Sequence, residues 1–296
     1  MAMQETENDI LRRVRKIEIK TRGLSNEIFA GKYHTAFRGR GMSFSEVREY
    51  RAGDDVRDID WNVTARSSKP HIKIYEEERE LTMMLLVDVS GSRMFGTAER
   101  LKKSVMTEIA AVLAFSAAQN NDKVGCIFFS DRVEKFIPPK KGRSHILMII
   151  RELVKFRPES PRTAISEAVR YLTNVNKKRC TAFSLSEFMN APRDRAALDG
   201  ALKIASGKHD LVGIRVWDPR EAAMPDVGIV ELQDAETGRK AWIDTSSARV
   251  REHYAENWRE RDEAIGEMLR RNRIDTAMIS TEGDYVAELI KLFKQR

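Results

Sequence analysis

The sequence predicts an α/β fold built on a doubly wound, mostly parallel sheet, and three features point there. From about residue 82, short apolar segments alternate with longer amphipathic ones in the order strand, helix, strand hairpin, helix, helix, strand, helix, strand. That order belongs to a parallel sheet with helices on both faces. Met83–Val87, Val124–Phe129 and Cys180–Leu185 are apolar without alternation, as strands covered on both faces are. Two of them end in polar clusters, Asp88-Val-Ser-Gly-Ser92 and Ser186-Glu187, at the strand ends where open α/β sheets place ligands.

The elements follow in order. Residues 5–20 read as a helix, with Ile10, Leu11, Val14 and Ile17 as its apolar stripe and Arg12, Arg13, Arg15 and Lys16 as its solvated face. Residues 31–62 have weak periodicity; Gly31, Gly39, Gly41 and Gly53 punctuate interleaved acids and bases. A structureless stretch of that length is uncommon in a compact domain unless it has a task. Arg48, Tyr50, Asp54, Asp55, Arg57, Asp60 and Trp61 have the composition of interface anchors, and they are the candidate partner-binding residues. The alternative is a surface arm held by ion pairs, each worth little. His71–Tyr75 alternates and reads as an edge strand, followed by the acidic run Glu76–Glu80.

Beyond Met83–Val87, a long helix is expected from Ala98 to Gln119, buried along Leu101, Val105, Ile109, Val112 and Leu113. Val124–Phe129 pairs with Val133–Ile137 as a hairpin. The Pro138-Pro139 stretch reads as a turn, with Lys140, Lys141 and Arg143 as its solvated charges, and Ser144 as cap of a helix through Phe156. Helices are expected over 164–174, 194–206, 246–271 and 284–294. Strands are expected over Cys180–Leu185, His209–Trp217, Val227–Leu232, Ala241–Ile243 and Thr276–Ser280. The expected division is 1–80, a helix and Gly/Arg/Asp-rich arm packed on the core or a small β subdomain, and 81–296, the α/β domain with a C-terminal helical extension.

Composition narrows the function. The chain has 296 residues, 42% hydrophobic and 33% charged, with a formal charge of +7 from 52 basic and 45 acidic residues. The charges are dispersed rather than blocked, which gives nucleic-acid binding only weak support. Cys126 and Cys180 form no Cys-x-x-Cys pair, so no zinc knuckle or redox couple is indicated, and free thiols fit a cytoplasmic protein. MAMQETENDI has no signal-peptide pattern, and no apolar run reaches the length of a membrane span. There is no Gly-x₄-Gly-Lys-Ser/Thr loop and no His-Glu-x-x-His. The five histidines lie near no evident nucleophile, which disfavours a hydrolase.

Asp88, Ser90 and Ser92 offer one charged and two neutral oxygens within five residues. With Thr163 at a helix start and Glu187 after a later strand, they make a candidate site for a small hard cation, Mg²⁺ or Mn²⁺. This constellation resembles the metal-ion-dependent adhesion site of von Willebrand factor A domains. A second resemblance is more specific. Phe44-Ser-Glu-Val-Arg-Glu-Tyr-Arg-Ala-Gly-Asp-Asp-Val-Arg-Asp-Ile-Asp-Trp-Asn62, Ala65-Arg66, Glu76–Glu80, Phe136-Ile-Pro-Pro-Lys140 and Asp226-Val-Gly-Ile-Val230 resemble the signature of the family called domain of unknown function 58 (DUF58). The resemblance covers roughly residues 25 to 250 and implies a von Willebrand factor A-like domain working beside a MoxR-type AAA+ ATPase. Two positions depart from the family pattern. Ala164 stands where members usually carry an acid after the threonine, and Glu187 where they carry an aspartate.

The expected function is therefore a non-enzymatic protein-interaction module. It would bind an acidic partner group through a cation at Asp88, Ser90, Ser92, Thr163 and Glu187, and assist an AAA+ ATPase in acting on client proteins. The alternatives are a metal-independent scaffold with a degraded site, a metal-dependent hydrolase and a nucleic-acid binder.

Overall fold

The computed structural model describes residues 12, 14–21, 43–67, 69–76, 81–94, 101–189, 192–234 and 236–296. The chain divides into two compact units, residues 37–81 and the remainder.

In the larger unit, six strands form one sheet. They are β3 (Thr82–Asp88), β4 (Lys123–Phe129), β5 (Val133–Lys140), β6 (Thr181–Ser186), β7 (Asp210–Trp217) and β10 (Asp275–Ser280), in the order β10-β7-β6-β3-β4-β5. All pairings are parallel except β4 with β5. This is the doubly wound, mostly parallel sheet that the alternation predicts. β3 is central because both its faces are apolar: Met83 to Val87 are all buried, and a strand of that kind is stable only between two layers.

One layer is α3 (Lys102–Gln119), whose Ala110, Ala111, Ala114 and Ala117 are fully buried and let it lie close to the sheet. On the other face, Met84 and Leu86 join a cluster with α5 (Ile165–Val175), α6 (Pro192–Lys208) and α8 (Ala248–Arg271). α4 (Arg143–Lys155) packs on α3, and α9 (Tyr285–Gln295) presents Phe293 edge-on to Phe183 of β6. Helix α1, residues 14–21, buries Val14 and Thr21. Its Glu18 carboxylate accepts from the Arg143 guanidinium at 2.7 Å, so Arg143, expected as a solvated charge, is committed to an ion pair.

Several boundaries differ from expectation. Ala98 lies outside the described residues, but α3 begins at Lys102, because Leu101 is extended and caps it. Pro138 and Pro139 continue β5 rather than forming a turn, which is permitted because β5 is an edge strand and the missing N–H groups face no partner. Helix α4 is capped by Gly142 at φ 101°, not by Ser144. Ile10, Leu11, Arg13, the glycines from Gly31 to Gly41 and Glu77–Glu80 lie outside the described residues.

The smaller unit corrects the reading of 31–62 as irregular. β1 (Ser43–Glu49) pairs antiparallel with β2 (His71–Glu76). The interleaved charges of 46–49 hid its period, while His71–Tyr75 was legible. Between the strands lies α2 (Trp61–Thr64), capped by Asp60.

β4 approaches its neighbours most tightly at Gly125, where the register to β5 shifts. A Cβ there would lie 2.6 Å from Met84 Sδ and 3.0 Å from the Ile137 carbonyl. Gly125→Ala should cost about 1–3 kcal/mol through overpacking. That reads as roughly 2–4 °C per kcal/mol in a thermal melt; an unchanged melting temperature would mean Met84 moves aside without penalty.

Candidate functional site

The connection after β3 runs toward β4, and the connection after β6 runs toward β7. Loops leaving adjacent strands in opposite directions open a crevice at their carboxyl ends. Asp88 closes β3 and Ser186 closes β6, both buried. The Ser186 hydroxyl donates to Asp88 Oδ2 at 2.6 Å, and the Ser90 N–H donates to Asp88 Oδ1 at 2.9 Å. Backbone bonds stitch the neighbouring loops to this point. Val89 N–H donates to the Phe129 carbonyl at 2.8 Å, Gly91 to Pro161 at 2.9 Å and Ala164 to Ser130 at 2.9 Å. They carry Thr163, just before α5, to the same edge. The Ser90 and Ser92 hydroxyls lie 3.1 Å apart, and Ser92 acts against the rise that burial imposes on the Glu187 carboxyl. Asp88, Ser90, Ser92 and Glu187 thus lie at one edge of the sheet, with Thr163 in the neighbouring loop before α5.

Three further charged residues meet them there. Lys102, the first residue of α3, is 0% exposed. Its ammonium donates to Glu187 and, at 2.5 Å, to Glu221 Oε1. Glu221 lies in α7 (Pro219–Ala222), where Asp218-Pro-Arg-Glu221 is a capping box: Asp218 N–H donates to Glu221 Oε2 at 2.9 Å. Burial pushes the Glu187 carboxyl above the ordinary range; Lys102 opposes the rise and Asp88 adds to it. Burial, then repulsion from Glu187, raises Glu221, with Lys102 opposing. The third is Glu236, in the turn of the hairpin of β8 (Ile229–Gln233) and β9 (Lys240–Asp244). Burial, then the charges of Asp88, Asp234 and Glu187, push its carboxyl above the ordinary range, with Thr163 opposing the rise.

Of these three, Glu221 had a readable signal, the Asp-Pro-x-Glu capping pattern. Lys102 and Glu236 had none, because neither a buried lysine at a helix start nor a turn glutamate differs locally from a solvated one.

The donor types suit a small hard cation: hydroxyl and carboxylate oxygens, without sulfur or imidazole. Among the described residues no three His, Cys, Asp or Glu side chains gather as a ligand set, so a cation here would rest on hydroxyls with one or two carboxylates. The residues present fit Mg²⁺ or Mn²⁺, with Glu187 engaged by Lys102.

A model of the family described as "Protein of unknown function DUF58" matches residues 46–264. The chain belongs to the DUF58 family. It is 28% identical over 288 residues to the uncharacterized protein Rv1480 of Mycobacterium tuberculosis, a match spanning 96% of this chain and 88% of that one. Uncharacterized protein MAV169 of Mycobacterium avium is 27% identical over 165 residues, 54% of this chain and 93% of that one. Among solved structures, BatB from Bacteroides thetaiotaomicron superposes with a TM-score of 0.51 at 15% identity, covering 73% of this chain and 98% of its own. The SpRpn10 VWA domain gives a TM-score of 0.39 at 11% identity over 71% of this chain and 93% of its own. The likeness to BatB is one of fold, and the DUF58 chain has the α/β, von Willebrand factor A-like fold expected of it.

In the smaller unit, the candidate partner-binding residues divide. Arg48 forks onto Asp54 with two bonds of 2.8 Å, and this pairing holds the Asp54 carboxyl below its usual range. Asp55 caps the short 3₁₀ turn Val56–Asp58. Asp60 caps α2, and the Val63 N–H is the first cause of its lowered pKa. These four side chains shape the unit. Tyr50 is half-buried, its N–H bonded to the Pro70 carbonyl at 2.9 Å. Arg57 and Trp61 face outward, Trp61 at 68% exposure.

Replacing Lys102 by Met leaves two buried carboxylates without their counter-charge, which should cost about 3–5 kcal/mol. A carboxyl with a raised folded-state pKa binds its proton more tightly folded than unfolded, so it lowers stability as pH rises. The deficit of Lys102→Met should therefore be larger at neutral pH than in acid near the ordinary glutamate range. Urea denaturation at both pH values reads this directly; equal deficits would mean that the ammonium does not balance ionised carboxylates.

Proposed function

We propose that this DUF58 protein is a non-enzymatic protein-interaction module that takes an acidic side chain of a partner through a divalent cation. Asp88, Ser90, Ser92 and Thr163 would hold Mg²⁺ or Mn²⁺, with Glu187 alongside on Lys102. The cation supplies a Lewis-acidic attraction for a carboxylate. The observation that carries this reading is the convergence of three loops at the β3/β6 switch point, which presents hydroxyls and a buried aspartate together. The family resemblance implies a MoxR-type AAA+ ATPase as partner, acting on client proteins. Outward-facing Trp61 and Arg57 are the side chains of the smaller unit best suited to contact it.

Non-enzymatic action fits the other nucleophile-like pair. Cys180 and His209 lie 3.4 Å apart, but at the amino ends of β6 and β7, opposite the site. Burial raises the thiol to about 11 and lowers the imidazole to about 4, so neither is poised for attack near neutral pH. Two buried free cysteines fit a cytoplasmic setting, and among the described residues no helix is long and apolar enough to cross a membrane.

The test is calorimetric titration of Mg²⁺ and Mn²⁺ into chelator-treated protein, beside Asp88→Ala and the near-isosteric Asp88→Asn. Saturable binding should disappear in both variants while their far-UV spectra stay unchanged. Absence of heat and of thermal stabilisation in the wild type would leave a metal-independent scaffold. Co-precipitation of a MoxR-type ATPase should likewise require both the cation and Asp88.

A further inference from the structure

The outer strand β10 reads Asp-Thr-Ala-Met-Ile-Ser, with no proline and no register shift. Its single charge, Asp275, stands at its start and is paired with Arg296 at 3.2 Å. Among the described residues no strand lies on its outer side. Just past its end, Thr281 N–H donates inward to the Trp217 carbonyl of β7 at 2.9 Å. Successive residues of a strand turn their backbone groups to alternate sides, so the N–H groups of Thr276, Met278 and Ser280 point away from β7. Edge strands are ordinarily blunted by charge, proline or a bulge, and the middle of β10 has none of these.

A groove of about 490 Å³ opens along this rim between α8 and α9, lined by Thr276, Ala277 and Met278 of the strand. Most of its charges are matched within the chain: Arg215 holds Asp262, and Lys291 lies 3.8 Å from Glu288. Glu263 and Arg270 of α8 also line it; both are exposed, and among the described residues no ion pair engages either. They stand seven residues apart, two helical turns, and so face the groove about 10 Å from each other. Gly266 lies midway on the same stripe, where a Cβ would come 3.4 Å from Arg270 Nη1. The centre of the stripe therefore carries no side chain of its own.

α8 is the crossover between the parallel strands β7 and β10, so it runs opposite to both. Glu263 is level with the carboxyl end of β10 and Arg270 with its amino end. A two-fold axis through the middle of the rim, normal to the sheet, reverses that order in a second copy. It lays β10 antiparallel to its counterpart and sets Glu263 of each chain against Arg270 of the other, at the same spacing. Such a surface is complementary to itself.

We infer that the β10 rim is a self-association surface, on which two copies of this chain pair their β10 strands antiparallel. The pairing stops at two, because the opposite rim, β5, carries Pro138 and Pro139 and offers no comparable edge. The carboxyl ends of the two sheets then point in opposite directions, so the dimer presents its two β3/β6 crevices away from each other.

Sedimentation velocity of the full chain tests this. The wild type should dimerise in the micromolar range. Glu263→Arg and Arg270→Glu each set like charges across the axis twice and should weaken the dimer about tenfold or more. The double variant restores opposite charges and should recover wild-type association. Met278→Pro removes one outward N–H where an edge strand tolerates proline, and should give a monomer with an unchanged far-UV spectrum. A wild type that stays monomeric would overturn the inference and leave the groove to an extended segment of another protein. A dimer that both charge reversals leave intact, or that the double variant fails to recover, would overturn it as well.

Discussion

The position at which the chain reverses its course across the sheet governs the rest of the molecule. β3 must be laid down in the centre, because its two apolar faces need a layer on each side. The chain then grows outward through β4 and β5 and returns to place β6 on the other flank. From there β7 and β10 extend the sheet away from β3. Each parallel pairing needs a helical crossover, and those crossovers supply the two covering layers. The carboxyl ends of β3 and β6 thereby become the one place on the sheet where adjacent loops part, and polar side chains can enter without breaking a core contact.

The electrostatics of that edge follow. A buried aspartate at the end of β3 is held by the Ser186 hydroxyl and the Ser90 amide, a pairing that spares it an uncompensated charge. One step outward, the Lys102 ammonium joins α3, the loop after β6 and the short α7 through two glutamates. Such clusters are weak evidence of stability in themselves, but they fix the relative placement of the elements that carry them. Glu187 is therefore held on a lysine rather than left to swing.

Much of this was legible beforehand, for reasons specific to each part. The apolar runs of β3 and β4, the largely apolar β6 and β7, and the stripes of α5 and α9 follow from burial on one or two faces, which leaves a trace in the sequence. The Asp88, Ser90 and Ser92 loop was visible because strand ends are ligand positions in any open α/β sheet. β1 was missed because alternating charges along 46–49 mask the period of two, and the prolines of β5 because edge strands tolerate what central strands do not. Lys102 was invisible as a participant: the sequence shows its charge but not its withdrawal from water, which depends on an element more than eighty residues away.

The two prolines in β5 matter beyond the domain. An outermost strand ordinarily offers amide groups to any extended chain that drifts past. Here the far half of that rim has no hydrogens to offer at 138 and 139, and Glu134, Lys135 and Lys140 carry charge along it. The prolines and charges thus make that edge a poorer template for strand recruitment. The β10 rim at the opposite edge carries no proline, so the two edges of the sheet differ in how readily an extended chain could join them.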